Sequence, residues 1–260
     1  MARTVALVTG ASSGIGTALA RRIAGEGRDL VLTARRVDRL EALAGEIGGQ
    51  HQVRVEVIGA DLARPGAPAE LVAEVERRGL EVEWLVNNAG FGTGGRFDRL
   101  PVARELDEIR VNVKAPVELA GRLMPAMVRR GRGAVVNVAS VAGFGPMAYT
   151  ATYAATKAFL ISWSEAVAAE LRGSGVSVLC VCPGFTRTEF QETAGLDVGG
   201  VPGVLWMSAE AVADQAVAAI GRQTVLVTGP LNWLTSVGMR LAPRSAIARA
   251  TAMASRRRTG

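Results

Sequence analysis

Lysine is nearly absent from this chain. Of its 30 basic residues only Lys114 and Lys157 are lysines, and arginine supplies the rest. In a chain that uses arginine almost everywhere, a lysine marks a place where guanidinium would not serve, because an ammonium is a compact point charge whose proton can be lost. Histidine is scarcer still. His51 is the only one, in the polar stretch Gly49-Gln-His-Gln52 between a helix pattern and a strand pattern, and it reads as a surface residue. One imidazole and two cysteines leave a metal short of ligands, so no metal site is expected. Cys180 and Cys182, in Ser177-Val-Leu-Cys-Val-Cys182, are expected on opposite faces of a strand as core packing, without a disulfide. No apolar run reaches the roughly 18 residues needed to cross a bilayer. The opening residues pass straight into a strand-like run with no room for a signal peptide, so a cytoplasmic location is expected.

The composition that remains is globular: 260 residues, 49% hydrophobic and 21% charged, which suits one large α/β domain. The net charge of +6 would permit a nucleic-acid role, but Arg240, Arg244, Arg249 and Arg256-Arg-Arg258 concentrate it at the chain end. No nucleic-acid partner is expected. Short Val- and Leu-rich runs at 4–9, 29–34, 53–58, 83–87, 133–139, 177–181 and 224–228 alternate with helix-length runs at 14–25, 38–47, 67–78, 102–130, 151–172 and 209–222. Strands without polar alternation are buried on both faces, the mark of a parallel sheet. The pattern predicts a Rossmann-type doubly wound α/β sheet of about seven parallel strands with helices on both faces.

Ligands of such sheets bind at the carboxyl ends of the strands. The first strand ends in Thr9-Gly-Ala-Ser-Ser-Gly14-Ile-Gly16 at the entry to a helix. Gly10, Gly14 and Gly16 allow a tight turn close to a pyrophosphate, and Ser12, Ser13 and Ile15 complete the candidate cradle at the helix N-terminus. The second strand ends in Leu32-Thr-Ala-Arg35-Arg36, with no carboxylate for a ribose 2′-hydroxyl. Arg35 and Arg36 instead suit a 2′-phosphate, which favours NADP(H) over NAD(H). Asp61-Leu62 and Asn88-Ala89-Gly90 follow later strands where ligand-facing groups belong, although Asp61 alone could equally cap a turn. Tyr153 and Lys157, four residues apart on a helix, share one face. Alone they could be two surface residues, and only their context makes them a proton-handling pair.

Thr9-Gly-x-x-x-Gly14-x-Gly16, Asn87-Asn-Ala-Gly90, Ser140, Tyr153-x-x-x-Lys157 and Pro183-Gly-x-x-x-Thr188 stand in the order and spacing of the short-chain dehydrogenase/reductase family, which the chain resembles over residues 3–190. The resemblance implies an adenine flanked by Asp61 and Leu62, and a nicotinamide side held by Pro183, Gly184, Thr186 and Thr188. It implies a tetrad of Asn112, Ser140, Tyr153 and Lys157, with Asn112 perturbing its helix to hold a relay water and Lys157 also binding the ribose. Hydride transfer between nicotinamide and a carbonyl or secondary alcohol would use Tyr153 as proton donor and Ser140 as hydrogen-bond donor. Lys157 is expected to lower the phenol's pKa from about 10, and about 3 units would need about 4 kcal/mol, within reach of one nearby charge. Lys114 matches nothing catalytic and reads as a surface residue.

Ala34-Arg-Arg-Val-Asp-Arg-Leu, Asn88-Ala-Gly-Phe-Gly and Ser162-Trp-Ser-Glu-Ala-Val further resemble NADPH-preferring reductases of acyl-chain ketones, other hydrophobic ketones or aldehydes. A small hydrophobic carbonyl or alcohol substrate is therefore expected, and a homodimer or homotetramer. Gly92-Thr-Gly-Gly95 reads as a substrate-side loop, and 188–208, with Phe190, Leu196, Val198 and Trp206 among glycines, as an apolar lid. Residues 1–229 are expected to form the catalytic domain. The basic, amphipathic 230–260 forms an extension that either docks on protein or makes peripheral contact with an anionic membrane. The rival to an enzyme is a catalytically silent NADP-binding regulator or scaffold on the same fold.

Overall fold

Buried Val- and Leu-rich strands need cover on both faces, and the chain alternates strand and helix to provide it. The computed structural model describes residues 3–196 and 198–259, with side chains as far as Ala254, so Arg256, Arg257 and Arg258 lie outside the described side chains. In chain order the elements are β1 (Arg3–Thr9), α1 (Gly14–Ala24), β2 (Leu30–Ala34), α2 (Val37–His51), β3 (Val55–Gly59), α3 (Ala67–Arg77), β4 (Leu80–Asn87), α4 (Val102–Ile109), α5 (Ala115–Arg130), β5 (Gly133–Val138), α6 (Ala151–Glu170) and β6 (Val176–Cys182). They continue with β7 (Phe185–Thr186), α7 (Phe190–Thr193), β8 (Trp206–Met207), α8 (Ala209–Ala219), β9 (Val225–Val227), α9 (Pro230–Leu241) and α10 (Arg244–Thr259).

The main sheet has the order β3-β2-β1-β4-β5-β6-β9, and every pairing in it is parallel. On one face Leu19 and Ile23 of α1, Leu40 and Ile47 of α2 and Val212 and Ala216 of α8 form a core with Val8, Leu32 and Val136. On the other, Leu71 and Val75 of α3 and Leu119, Leu123 and Met127 of α5 pack on Leu7, Leu85 and Val135. Strand order reverses between β1 and β4, which opens a crevice above their carboxyl ends.

Two expectations change. The helix expected over 102–130 is broken by a π-turn at Arg110–Lys114, with Asn112 at its centre. Cys180 and Cys182 share one face of β6, packing together against Leu160 and Ile161, because residues two apart on a strand project to the same side. Both remain free thiols.

The 188–208 segment has structure of its own: α7, a short 3₁₀ turn at Gly203–Leu205, and a β7–β8 pair. Beyond it, α9 and α10 fold back over the β5–α6 connection. Asn232 of α9 is buried and donates to the Thr228 carbonyl at 2.9 Å. Arg240 stands over the Phe144 ring at 4.3 Å. The Ala148 N–H donates to Thr251 of α10 at 3.1 Å. No helix among the described residues is long and apolar enough to cross a membrane.

Candidate active site

The turn after β1 must bring its backbone against the end of β4, and glycine permits it. Gly10 has φ of +67°, and a Cβ there would stand 2.7 Å from the Ala89 Cα. Thr9 locks the two strand ends together: its hydroxyl accepts from the Asn88 and Ala89 N–H groups, both at 3.0 Å, and donates to the Val86 carbonyl at 3.1 Å. The Asn88 amide returns hydrogen bonds to the Thr9 and Gly10 carbonyls. Gly16 packs directly under this turn, where a Cβ would meet the Gly10 carbonyl oxygen at 2.3 Å.

A cleft of about 890 Å³ runs along these strand ends. Gly10, Ser12, Ser13, Gly14 and Ile15 line it from the first turn. Arg35 and Arg36 enter from β2, and Asp61 and Leu62 from β3. Asn88, Ala89 and Gly90 line it after β4, and Pro183, Gly184, Thr186 and Thr188 after β6. Asp61 also caps a turn, its carboxylate accepting the Ala63 N–H at 3.1 Å. The Arg36 guanidinium points two N–H groups, Nε and Nη2, at the Ser12 hydroxyl at 3.3 and 3.2 Å. This cradle of close backbone approach, helix N-terminus and paired arginines fits a dinucleotide.

Ser140, Tyr153 and Lys157 meet at the cleft's other end. Ser140 caps the turn after β5, its hydroxyl accepting from the Ala142 N–H at 3.2 Å. Lys157 is buried, and its Nζ donates to the Val138 carbonyl at 2.8 Å while lying 5.6 Å from the Tyr153 ring centroid. Burial pushes the phenol up to about 12, with the Ser140 hydroxyl opposing the rise. Burial also pulls Lys157 down to about 8. Lys157 was expected to lower the phenol's pKa, yet desolvation dominates at both groups and the ammonium is engaged by a carbonyl.

Asn112 lies behind the cleft. Its amide donates to the Phe91 carbonyl at 2.9 Å and to Thr156 at 3.1 Å, and its oxygen accepts the Phe91 N–H at 3.1 Å. The π-turn swings this side chain inward against β4's exit loop, a role for such bulges near functional sites. A Cβ on Gly90 would stand 2.9 Å from Asn112 Oδ1 and 3.4 Å from Lys157 Nζ, so Gly90 lies between them. Lys114 is exposed, on the outside of the same turn.

Some site features were not legible beforehand. Glu105 and Glu108 of α4 are buried, bonded to Thr152 and Thr93 respectively, and each leaves its Oε1 without a partner. Burial pushes Glu108 up to about 7, with Thr93 and Lys157 opposing and Glu105 adding to the rise. Tyr149 lines the cleft with φ of +67°, a costly conformation for a non-glycine residue, and its carbonyl accepts the Gly95 N–H at 2.8 Å. Thr235 and Met239 of α9 complete the wall. No periodicity marked these residues, because tertiary packing alone turns them inward.

A model of the short chain dehydrogenase family matches residues 4–198. The chain is 31% identical over 228 residues to a 7beta-hydroxysteroid dehydrogenase of Collinsella aerofaciens, covering 87% of this chain and 86% of the relative. A solved 7beta-hydroxysteroid dehydrogenase structure superposes with a TM-score of 0.87 at 27% identity, covering 96% of each chain. A short-chain dehydrogenase from Sphingobium yanoikuyae in complex with NADPH matches at 37% identity and a TM-score of 0.79, covering 92% of this chain and 93% of that one. The chain belongs to the short-chain dehydrogenase/reductase family. It is an oxidoreductase of carbonyls and alcohols that uses a nicotinamide dinucleotide.

Proposed function

We propose that the chain is an NADP(H)-dependent reductase of a bulky, apolar carbonyl compound, or in reverse a dehydrogenase of the corresponding secondary alcohol. The observation that carries the cofactor choice is the paired Nε and Nη2 of Arg36 aimed at Ser12, beside Arg35, where β2 ends without a carboxylate. The apolar substrate reading rests on the apolar side chains that line the cleft with Tyr153: Phe190, Leu196 and Val198 of the lid, with Met147, Tyr149 and Met239. The NADPH complex of the Sphingobium relative and the steroid named for the Collinsella one support both readings.

Bound NADPH would supply the hydride to the carbonyl carbon. Ser140 and Tyr153 would hold the carbonyl oxygen, and the proton leaves the phenol as negative charge develops there. A phenol held at about 12 retains its proton at neutral pH until that moment. Lys157, charged below about 8, steadies the tyrosinate left behind, and Asn112 fixes the wall beside Lys157. The lid ring of Phe190, 5.2 Å from the Tyr153 ring, would help keep water from the reacting oxygen.

The tail reads as a wall of this site more than as a membrane contact, since Thr235 and Met239 face the cleft. A homodimer or homotetramer would cover Val102, Leu106 and Ile109 of α4 and Phe159 of α6, which are exposed on the monomer. The test is Arg35→Ala assayed with a size-graded ketone series. NADPH should bind far more weakly with NADH little changed, and equal losses would refute the 2′-phosphate role.

A further inference from the structure

Two adjacent lid residues reach opposite ends of the cleft. Glu189 grips the arginines after β2: its carboxylate accepts from Arg36 Nη1 at 2.8 Å and from Arg39 Nη1 at 2.7 Å, across some 150 positions of sequence. Phe190, the next residue, lies against the ring of Tyr153 with centroids 5.2 Å apart. Between these ends Thr188 closes down on the glycine turn, where a Cβ on Gly14 would stand 2.8 Å from the Thr188 Cγ2. The Thr188 hydroxyl also accepts the Phe190 N–H at 3.2 Å, which sets Phe190 relative to the strap that Glu189 ties down.

The arrangement at Arg36 has a direction. Glu189 takes Nη1, leaving the Nε and Nη2 pair aimed at Ser12, the fork that binds a phosphate oxygen bidentately. The carboxylate therefore holds Arg36 from behind and leaves the phosphate-binding edge free. Arg39, bonded to the other carboxylate oxygen, fixes Glu189 in turn.

We infer that Glu189 is a positioning residue that couples recognition of the cofactor's 2′-phosphate to closure of Phe190 over the catalytic Tyr153. The inference rests on the reading of Arg35 and Arg36 as the 2′-phosphate site. A phosphate on the Arg36 fork orders the guanidinium on which Glu189 sits, and an ordered strap presents that fork in return. Such coupling is reciprocal by linkage. The enzyme would thus enclose its substrate end more completely with NADP(H) than with NAD(H), so that cofactor choice acts on turnover as well as on affinity.

Hydrogen exchange of residues 186–196 in the full-length protein, with 2′-AMP or 5′-AMP as the probe, tests the coupling without turnover. In the wild type, saturating 2′-AMP should slow exchange of this segment several-fold and 5′-AMP should not. Glu189→Gln should lose that protection and bind NADPH about tenfold more weakly with NADH little changed, and Glu189→Asp should restore part of both. Equal protection by the two nucleotides, protection retained in Glu189→Gln, or tighter NADPH binding in Glu189→Gln would overturn the inference. Arg36→Ala separates the two layers. If the NADPH-to-NADH affinity ratio does not change in that variant, the 2′-phosphate reading fails. If the ratio falls while 2′-AMP still protects the segment, only the coupling fails.

Discussion

Asn112 satisfies both backbone polar groups of Phe91, accepting from its N–H at 3.1 Å and donating to its carbonyl at 2.9 Å. One side chain thereby ties the π-turn of the α4–α5 helix to the loop that leaves β4, with Gly90 between it and Lys157.

Asn112→Leu should leave those two backbone groups unpaired, at roughly 1–3 kcal/mol each. A loss of about 2–6 kcal/mol in all corresponds to a melting point lower by about 4–12 °C in a chain of this length. Activity should fall further than stability, since Gly90 and Lys157 share the disturbed wall. Thermal melts beside steady-state rates check both, and an unchanged melt would show that the π-turn holds itself.

Glu108 is fully buried, and the folded chain holds it at about 7, where a free carboxyl titrates near 4.5. Between those values the folded state keeps a proton that the unfolded state has lost, so the group's contribution is complete below about 4.5 and lost as pH rises through about 7. The wild type should lose on the order of 3 kcal/mol relative to Glu108→Gln across that window. The charges of Glu105 and Lys157 bear on the same carboxyl, and the Thr93 hydroxyl donates a hydrogen bond to it. Denaturant unfolding of both proteins at either end of the window is the check, and parallel pH profiles would contradict it.

Asn232 fills the space beside Gly184, where a Cβ would meet its Oδ1 at 2.2 Å. Gly184→Ala should therefore unseat the start of α9, and a chain ended at residue 229 should lose the Thr235 and Met239 wall altogether. Both changes are expected to lower the melting point and raise KM for apolar ketones. Co-sedimentation with anionic vesicles should be equal for full-length and shortened chains, and a large loss on shortening would restore the membrane reading of the tail.

The sheet was legible because buried parallel strands carry an apolar signature of their own, and the glycine turn because only glycine permits its approach to Ala89. The helix α4 shows where legibility ends. Its apolar Val102, Leu106 and Ile109, spaced as an inward face, are exposed, and its carboxylates Glu105 and Glu108 are buried. Helical periodicity identifies a face without saying what covers it, and here that face is left for something other than the chain's own core. Asn112 was found through family resemblance alone. The strap contacts of Glu189 join residues that no local pattern links, since both arginines lie some 150 positions away.

That Tyr153 gives the proton while hydride passes to a carbonyl is most directly tested in a single turnover with NADPH deuterated at C4 of the nicotinamide and a bulky aliphatic or steroid ketone. Deuterium should appear at the carbinol carbon of the product by mass spectrometry in the wild type. Tyr153→Phe should bind NADPH as tightly yet transfer deuterium at least about a hundredfold more slowly, the scale of a lost general acid. Tight NADPH binding with no label transferred to any ketone by the wild type, or equal transfer by the Phe variant, would contradict the account and favour a silent nucleotide-binding regulator.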